Sequence, residues 1–128
     1  MPAAEQTATS TITWFEIPAK DFDRAIRFYE TLFATPLVRN EAWPNMGIFP
    51  FERPAVSGCV VSTEEHRPSP AGTIVYLNCE GRIDDILGRL EAAGGSVASP
   101  KTYLPDIGWV AQIRDSEGNR IGLHDRAA

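Results

Sequence analysis

One pattern is written twice in this chain, and that repeat constrains the fold more than any other feature. The first copy runs from Thr11 to Phe33, T-I-T-W-F-E-I-P-A-K-D-F-D-R-A-I-R-F-Y-E-T-L-F. Residues 11–17 alternate, with Phe15 and Ile17 on one face and Trp14 and Glu16 on the other. Pro18 has no N–H for a sheet ladder and ends the strand. Asp21 or Asp23 then caps a helix whose Phe22, Ile26, Tyr29 and Phe33 fall on one apolar stripe. The second copy begins at Thr73. There T-I-V-Y-L-N-C puts Val75, Leu77 and Cys79 on one face and Ile74, Tyr76 and Asn78 on the other. A break at Glu80-Gly81 leads into a helix striped by Ile83, Ile86, Leu87 and Leu90, and Gly94-Gly95 stop it.

Each helix is followed by three strand-like runs. In the first copy these are Leu37-Val38, Met46 to Phe51 and Val56 to Val61. In the second they are Ser96 to Ser99, Gly108 to Arg114 and Asn119 to Asp125, the last two joined by the turn D-S-E-G-N. A period of roughly sixty residues reads as a duplicated unit, not a solenoid. The fold class predicted is α+β: two β-α-β-β-β modules, residues 11–61 and 73–126, in one domain spanning 11–126. The polar segment 62–72, S-T-E-E-H-R-P-S-P-A-G, links them, and residues 1–10 form a loose tail. One helix covers only one face of a four-stranded sheet. The free faces of the two modules therefore curl around a shared cleft, walled by Trp14, Glu16, Tyr76, Asn78, Arg120, Gly122 and His124.

Composition narrows the functional classes. Over 128 residues the net charge is −5, which argues against nucleic acid as a partner, since that requires a basic face. No apolar run is long enough to span a membrane, and the first ten residues lack a signal-peptide pattern. Cys59 and Cys79 are the only cysteines and form no C-x-x-C. Both sit in apolar strands and read as buried thiols, which points to a reducing, cytoplasmic setting.

Glu16 leads the candidate residues, because a carboxylate on a cleft wall is suited to proton transfer. Its structural alternative is a salt link to Arg120 or His124. His124 reads as a general base or metal ligand, or else as a surface histidine on a terminal strand. Tyr76 and Asn78 supply an O–H and an amide that would orient a carbonyl or carboxylate, or simply hydrogen-bond within the module interface. Trp14, Met46, Phe49 and Trp109 read as pocket lining or as core. Lys101, in the loop P-K-T-Y-L-P-D-I-G, would reach over the cleft mouth to an anion, or lie solvated. His66 reads as a solvated linker histidine.

The W-F-E-I-P…D-F-D-R-A-I-R-F-Y opening, the I-D-D-I-L-G-R-L-E-A-A-G-G helix and the D-S-E-G-N-R-I-G-L-H ending resemble the glyoxalase/bleomycin-resistance/extradiol dioxygenase superfamily, also called vicinal oxygen chelate. The resemblance runs from about Thr11 to Asp125. It implies paired β-α-β-β-β modules around a cupped cleft, a homodimer, and a divalent metal held by His, Gln or Glu on cleft-facing strands. This chain departs from that ligand pattern. The corresponding positions fall on Trp14, Ile74 and Gly122, with the fourth within Ser57 to Val61. No metal is therefore expected at the usual positions. Glu16 and His124 each lie two residues beyond a lost position, which moves a side chain roughly 6–7 Å along the same strand face. A displaced divalent metal on Glu16 and His124 is the one cofactor the resemblance leaves open.

Two functions are expected from these readings. The first is a lyase- or isomerase-like enzyme acting on a small carbonyl or carboxylate compound, with Glu16 and His124 moving protons and Trp14, Tyr76, Asn78, Trp109 and Lys101 binding substrate. The second is a non-catalytic protein of the bleomycin-resistance kind, which sequesters a small ligand and needs no metal.

Overall fold

In a computed structural model, the structure describes residues 10–126, so most of the expected tail over 1–10 lies outside the described residues. Strand β1 (Trp14–Pro18) leads into helix α1 (Phe22–Phe33), then β2 (Val38–Asn40), β3 (Trp43–Ile48) and β4 (Ser57–Val61). The second module repeats the order with β5 (Tyr76–Asn78), α2 (Ile83–Ala93), β6 (Ser96–Leu104), β7 (Gly108–Arg114) and β8 (Arg120–Asp125). The strands form two mixed four-stranded sheets, ordered β1-β4-β3-β2 and β5-β8-β7-β6. In each, the first strand pairs parallel with the last, which the intervening crossover makes possible.

The helix boundaries follow local chemistry. Asp21 caps α1 by accepting the Arg24 N–H, and Ala34 closes the helix in the left-handed region at φ 53°. Helix α2 has no side-chain cap from Arg82. Asp125 of β8 instead accepts the N–H groups of Gly81 and Ile83 at 3.0 and 3.3 Å. Gly94, at φ 106°, ends α2.

Both helices pack on one side of their sheets, and one core joins the modules. Ile17, Ile26, Tyr29, Leu32 and Val60 of the first meet Leu77, Ile86, Leu90, Ile113 and Leu123 of the second. The alternation along β1 and β5 thus sends Ile17 and Leu77 inward, while Trp14, Glu16, Tyr76 and Asn78 stay exposed on the other side.

Strand edges differ from the sequence reading at several places: β1 begins only at Trp14, and β2 runs on to Asn40. Strand β3 starts earlier, at Trp43, and stops at Ile48; Phe49 to Val56 then form a loop. Strand β5 is only three residues long. Strand β6 continues to Leu104 and absorbs most of the P-K-T-Y-L segment expected as a loop. Pro100 obscured this continuation, since proline argues against a strand. It is accommodated because β6 is a sheet edge with an irregular register between Ser99 and Thr102.

The turn over residues 115–119 is the principal polar link between modules. Asp115, 5% exposed, accepts the N–H groups of Glu117 and Asn119 at one oxygen. At the other it accepts the Tyr29 hydroxyl at 2.6 Å and the Asn119 amide at 3.0 Å. Burial, followed by the charge of Asp115, pushes the Tyr29 phenol well above its ordinary pKa, so it remains a donor. Glu117 reaches the start of α1, accepting the Lys20 and Asp21 N–H groups at 2.9 and 2.7 Å and pairing with Arg24 at 2.7 Å. Burial opposes its ionisation, but Arg24 and those N–H groups outweigh it and hold Glu117 below the usual carboxylate range.

Candidate functional site

The open face of the first sheet carries Glu16, opposite Cys59 in the β1–β4 register. Glu16 does not meet His124. Its Oε1 lies 2.8 Å from Nε2 of His66, which comes from the linker. The geometry around His66 sets its tautomer. Thr63 Oγ1 already accepts the N–H groups of Glu65 and His66, each at 3.2 Å, so its own proton is directed to His66 Nδ1 at 2.6 Å. Neutral His66 then carries its proton on Nε2 and donates it to Glu16. Among the described residues, Glu16 Oε2 has no partner, and the side chain is 41% exposed. The carboxylate is therefore gripped at one oxygen and presented at the other.

His124 lies on the other sheet, beside Asn78 in the β5–β8 register. Its Nε2 is 2.7 Å from the Ile107 carbonyl, so that nitrogen carries a proton and donates it there. The two residues expected to act as a pair line different crevices. Glu16 borders one of about 260 Å³ with Arg67, Ser69, Thr73 and Arg120, and His124 one of about 210 Å³ with Tyr76, Asn78, Glu80 and Arg126. Tyr76 and Asn78 do share a wall with His124. The Tyr76 hydroxyl accepts from Gln112 at 2.8 Å, and Gln112 in turn accepts from Arg120 at 2.9 Å. Asn78 uses its carbonyl oxygen to accept the Glu80 N–H at 2.9 Å.

Lys101, expected over the cleft mouth, lies elsewhere, and Trp109, read as pocket lining or as core, packs against the core. Trp109 has the same parity on β7 as the core residues Ala111 and Ile113, so it faces α2. Lys101 sits 4.4 Å from the Trp109 ring centroid and pairs with Asp84 of α2 at 2.8 Å. Once β6 extends through Lys101, strand geometry and not loop reach decides where its ammonium goes. Phe49 packs with Phe15, Tyr29 and Phe33 on the helix side. Trp14 remains on the open face, 39% exposed. Sequence reasoning passed over Thr63 and Gln112, and it took His66, which pairs with Glu16, for a solvated linker histidine. Only Gln112 had a local signal, because alternation along β7 places it with the open-face residues.

The residues present do not fit the metal chelate implied by the resemblance. Trp14 and Gly122, where the resemblance would put two of its ligands, carry no metal-binding group, and the Tyr76 ring lies over Gly122 so closely that a Cβ there would run into it. In the stretch holding the fourth position, the Ser57 hydroxyl donates to the Phe49 carbonyl at 2.7 Å. Burial, and secondarily the charge of Glu16, push the Cys59 thiol up to about 12. Among the described residues, no three His, Cys, Asp or Glu side chains are grouped to hold a metal ion. Cys79, raised by burial to about 11, is likewise a protonated core thiol.

Comparison with known proteins agrees with this architecture. A glyoxalase/bleomycin resistance protein from Albidiferax ferrireducens superposes with a TM-score of 0.76 at 18% identity, over 92% of this chain and 100% of that one. TnmS3, an antibiotic binding protein from Streptomyces, gives 0.65 at 22% identity, over 94% and 98% of the two chains. A lactoylglutathione lyase from Agrobacterium tumefaciens gives 0.60 at 20% identity, over 91% and 94%. At these identities the likeness is one of fold. No curated protein matches the sequence. The family model of the Glyoxalase/Bleomycin resistance protein/Dioxygenase superfamily matches residues 11–123, nearly the whole chain, and the protein belongs to that superfamily.

Proposed function

We propose that the protein binds a small carbonyl or carboxylate compound against its open sheet faces and moves a proton there without the superfamily's metal, with Glu16 as the base. The observation that carries this reading is the arrangement of Glu16, anchored at Oε1 by His66 with Oε2 unengaged among the described residues. A base held by a second residue and open on one side meets the geometric requirement for abstracting a proton from a bound molecule. Arg67 and Arg120 border the same crevice and suit a carboxylate on the ligand. His124 has no direct part in the step and serves the Tyr76–Asn78 wall. A cytoplasmic homodimer completes the proposal, in keeping with the free cysteines; no helix among the described residues is long and apolar enough to cross a membrane.

The test is deuterium exchange. A panel of small carbonyl acids is incubated with the protein in heavy water, and loss of the proton next to the carbonyl is followed by NMR. Exchange with one member, slowed about a hundredfold or more in Glu16→Gln while its affinity holds, is the expected result. Saturable binding without exchange would replace this reading with sequestration, the alternative that TnmS3, an antibiotic binding protein of the same fold, favours.

A further inference from the structure

A further cavity lies in the seam where the β3–β4 loop faces the β5–α2 turn. It encloses about 530 Å³, within the range of small-molecule sites. Phe15, Phe33, Phe49 and Leu77 wall it, and three of these belong to one aromatic cluster, with Phe49 5.7 Å from Phe15 and 6.2 Å from Phe33. The polar groups at its rim are few and oriented. The Asn78 carbonyl oxygen is turned to the Glu80 N–H, which leaves the amide NH₂ as a donor. Glu80 is paired with Arg126 at 3.5 Å. The Arg82 guanidinium makes, among the described residues, only a long 3.4 Å contact to the backbone carbonyl of Asn78. An aromatic-walled cavity thus ends in a guanidinium with one long contact, an amide donor and the Arg126-paired Glu80 carboxylate.

We propose that this cavity is a second ligand site, which takes an aromatic carboxylate: ring among the phenylalanines, carboxylate on Arg82 and the Asn78 amide. Arg82 donates in a planar fork that matches two carboxylate oxygens. Stacked and edge-on aromatic contacts favour a flat ring over a branched chain in this chamber. The site is independent of Glu16, so the two proposals stand or fall separately.

NMR titration of the full chain with 2-naphthoate, and with the neutral 2-naphthamide as comparator, tests it. Naphthoate is expected to saturate one site with shifts centred on Phe33, Phe49, Leu77 and Asn78, and naphthamide to bind roughly tenfold more weakly. Arg82→Ala should weaken naphthoate by roughly tenfold and leave naphthamide unchanged. Ala55→Trp, which places an indole in the cavity lining, should abolish both, with the spectrum confirming an intact fold. Absence of saturable binding, binding that survives both substitutions, or shifts centred on Glu16 and Arg120 would each overturn the proposal.

Discussion

The turn over residues 115–119 and the loop over 49–56 hold matching places in the two modules, each joining its last two strands. Each also faces the strand-to-helix connection of the other module. The turn is short and polar, and it locks. Asp115, Glu117 and Asn119 satisfy the start of α1, the Tyr29 hydroxyl, the Pro18 carbonyl at 2.7 Å and the Ser69 N–H of the linker at 3.0 Å. The loop, F-P-F-E-R-P-A-V, is mostly proline and apolar residues with the single carboxylate Glu52, and it stands off to leave the aromatic cavity. The opposite helix start does not depend on it, because Asp125 supplies the acceptors there. Two equivalent seams have diverged, one to hold the modules together and one to leave room between them.

The contrast is sharpest in stability. Asp115→Ala leaves the Tyr29 hydroxyl, one N–H of the Asn119 amide and two backbone N–H groups without an acceptor, and should cost about 4 kcal/mol in urea unfolding. Phe51→Ser at the other seam changes a side chain already 40% exposed, and should cost about 0.5 kcal/mol or less. Comparable losses at the two sites would end the distinction between lock and gap.

Acid should loosen the first seam and spare the second. The Glu117 pKa is lowered in the folded state, so its contribution is complete above the unfolded value of about 4.3 and is lost as pH falls through the folded value. Stability of the native protein should therefore fall across that acid window. Glu117→Gln should be less stable at neutral pH and show a flatter decline below it. Parallel pH profiles for the two proteins would remove Glu117 from the lock.

His66→Ala gives the smallest expected effect. The Glu16–His66 pair is partly exposed, at 41% and 29% for the two side chains, and contacts of this kind contribute under about 1 kcal/mol. The sensitive readout is hydrogen exchange over residues 62–72. Faster exchange near Thr63 to His66 with unchanged protection at Ser69 would show two separate attachments of the linker, since Asn119 still holds Ser69.

Much of the fold was legible because it is local. Alternation of two in β1 and β5, the stripes of α1 and α2, and the stops at Pro18, Gly94 and Gly95 all act within a few residues. The duplicated architecture followed from reading them twice. The same parity argument placed Glu16, Tyr76 and Asn78 on the open faces. It failed where a proline interrupted the pattern, at β6, and so misplaced Lys101.

What the sequence determined by itself was which face each strand residue takes. Backbone geometry imposes that choice at every position, whatever the residue meets there. The tertiary structure alone decided the partners: His66 for Glu16 across 50 residues, Ile107 for His124, Asp84 for Lys101, and Glu117 for Arg24 across 93. Such pairings depend on where a linker and a turn come to rest after the two modules close on one core, and no periodicity in the chain records that distance.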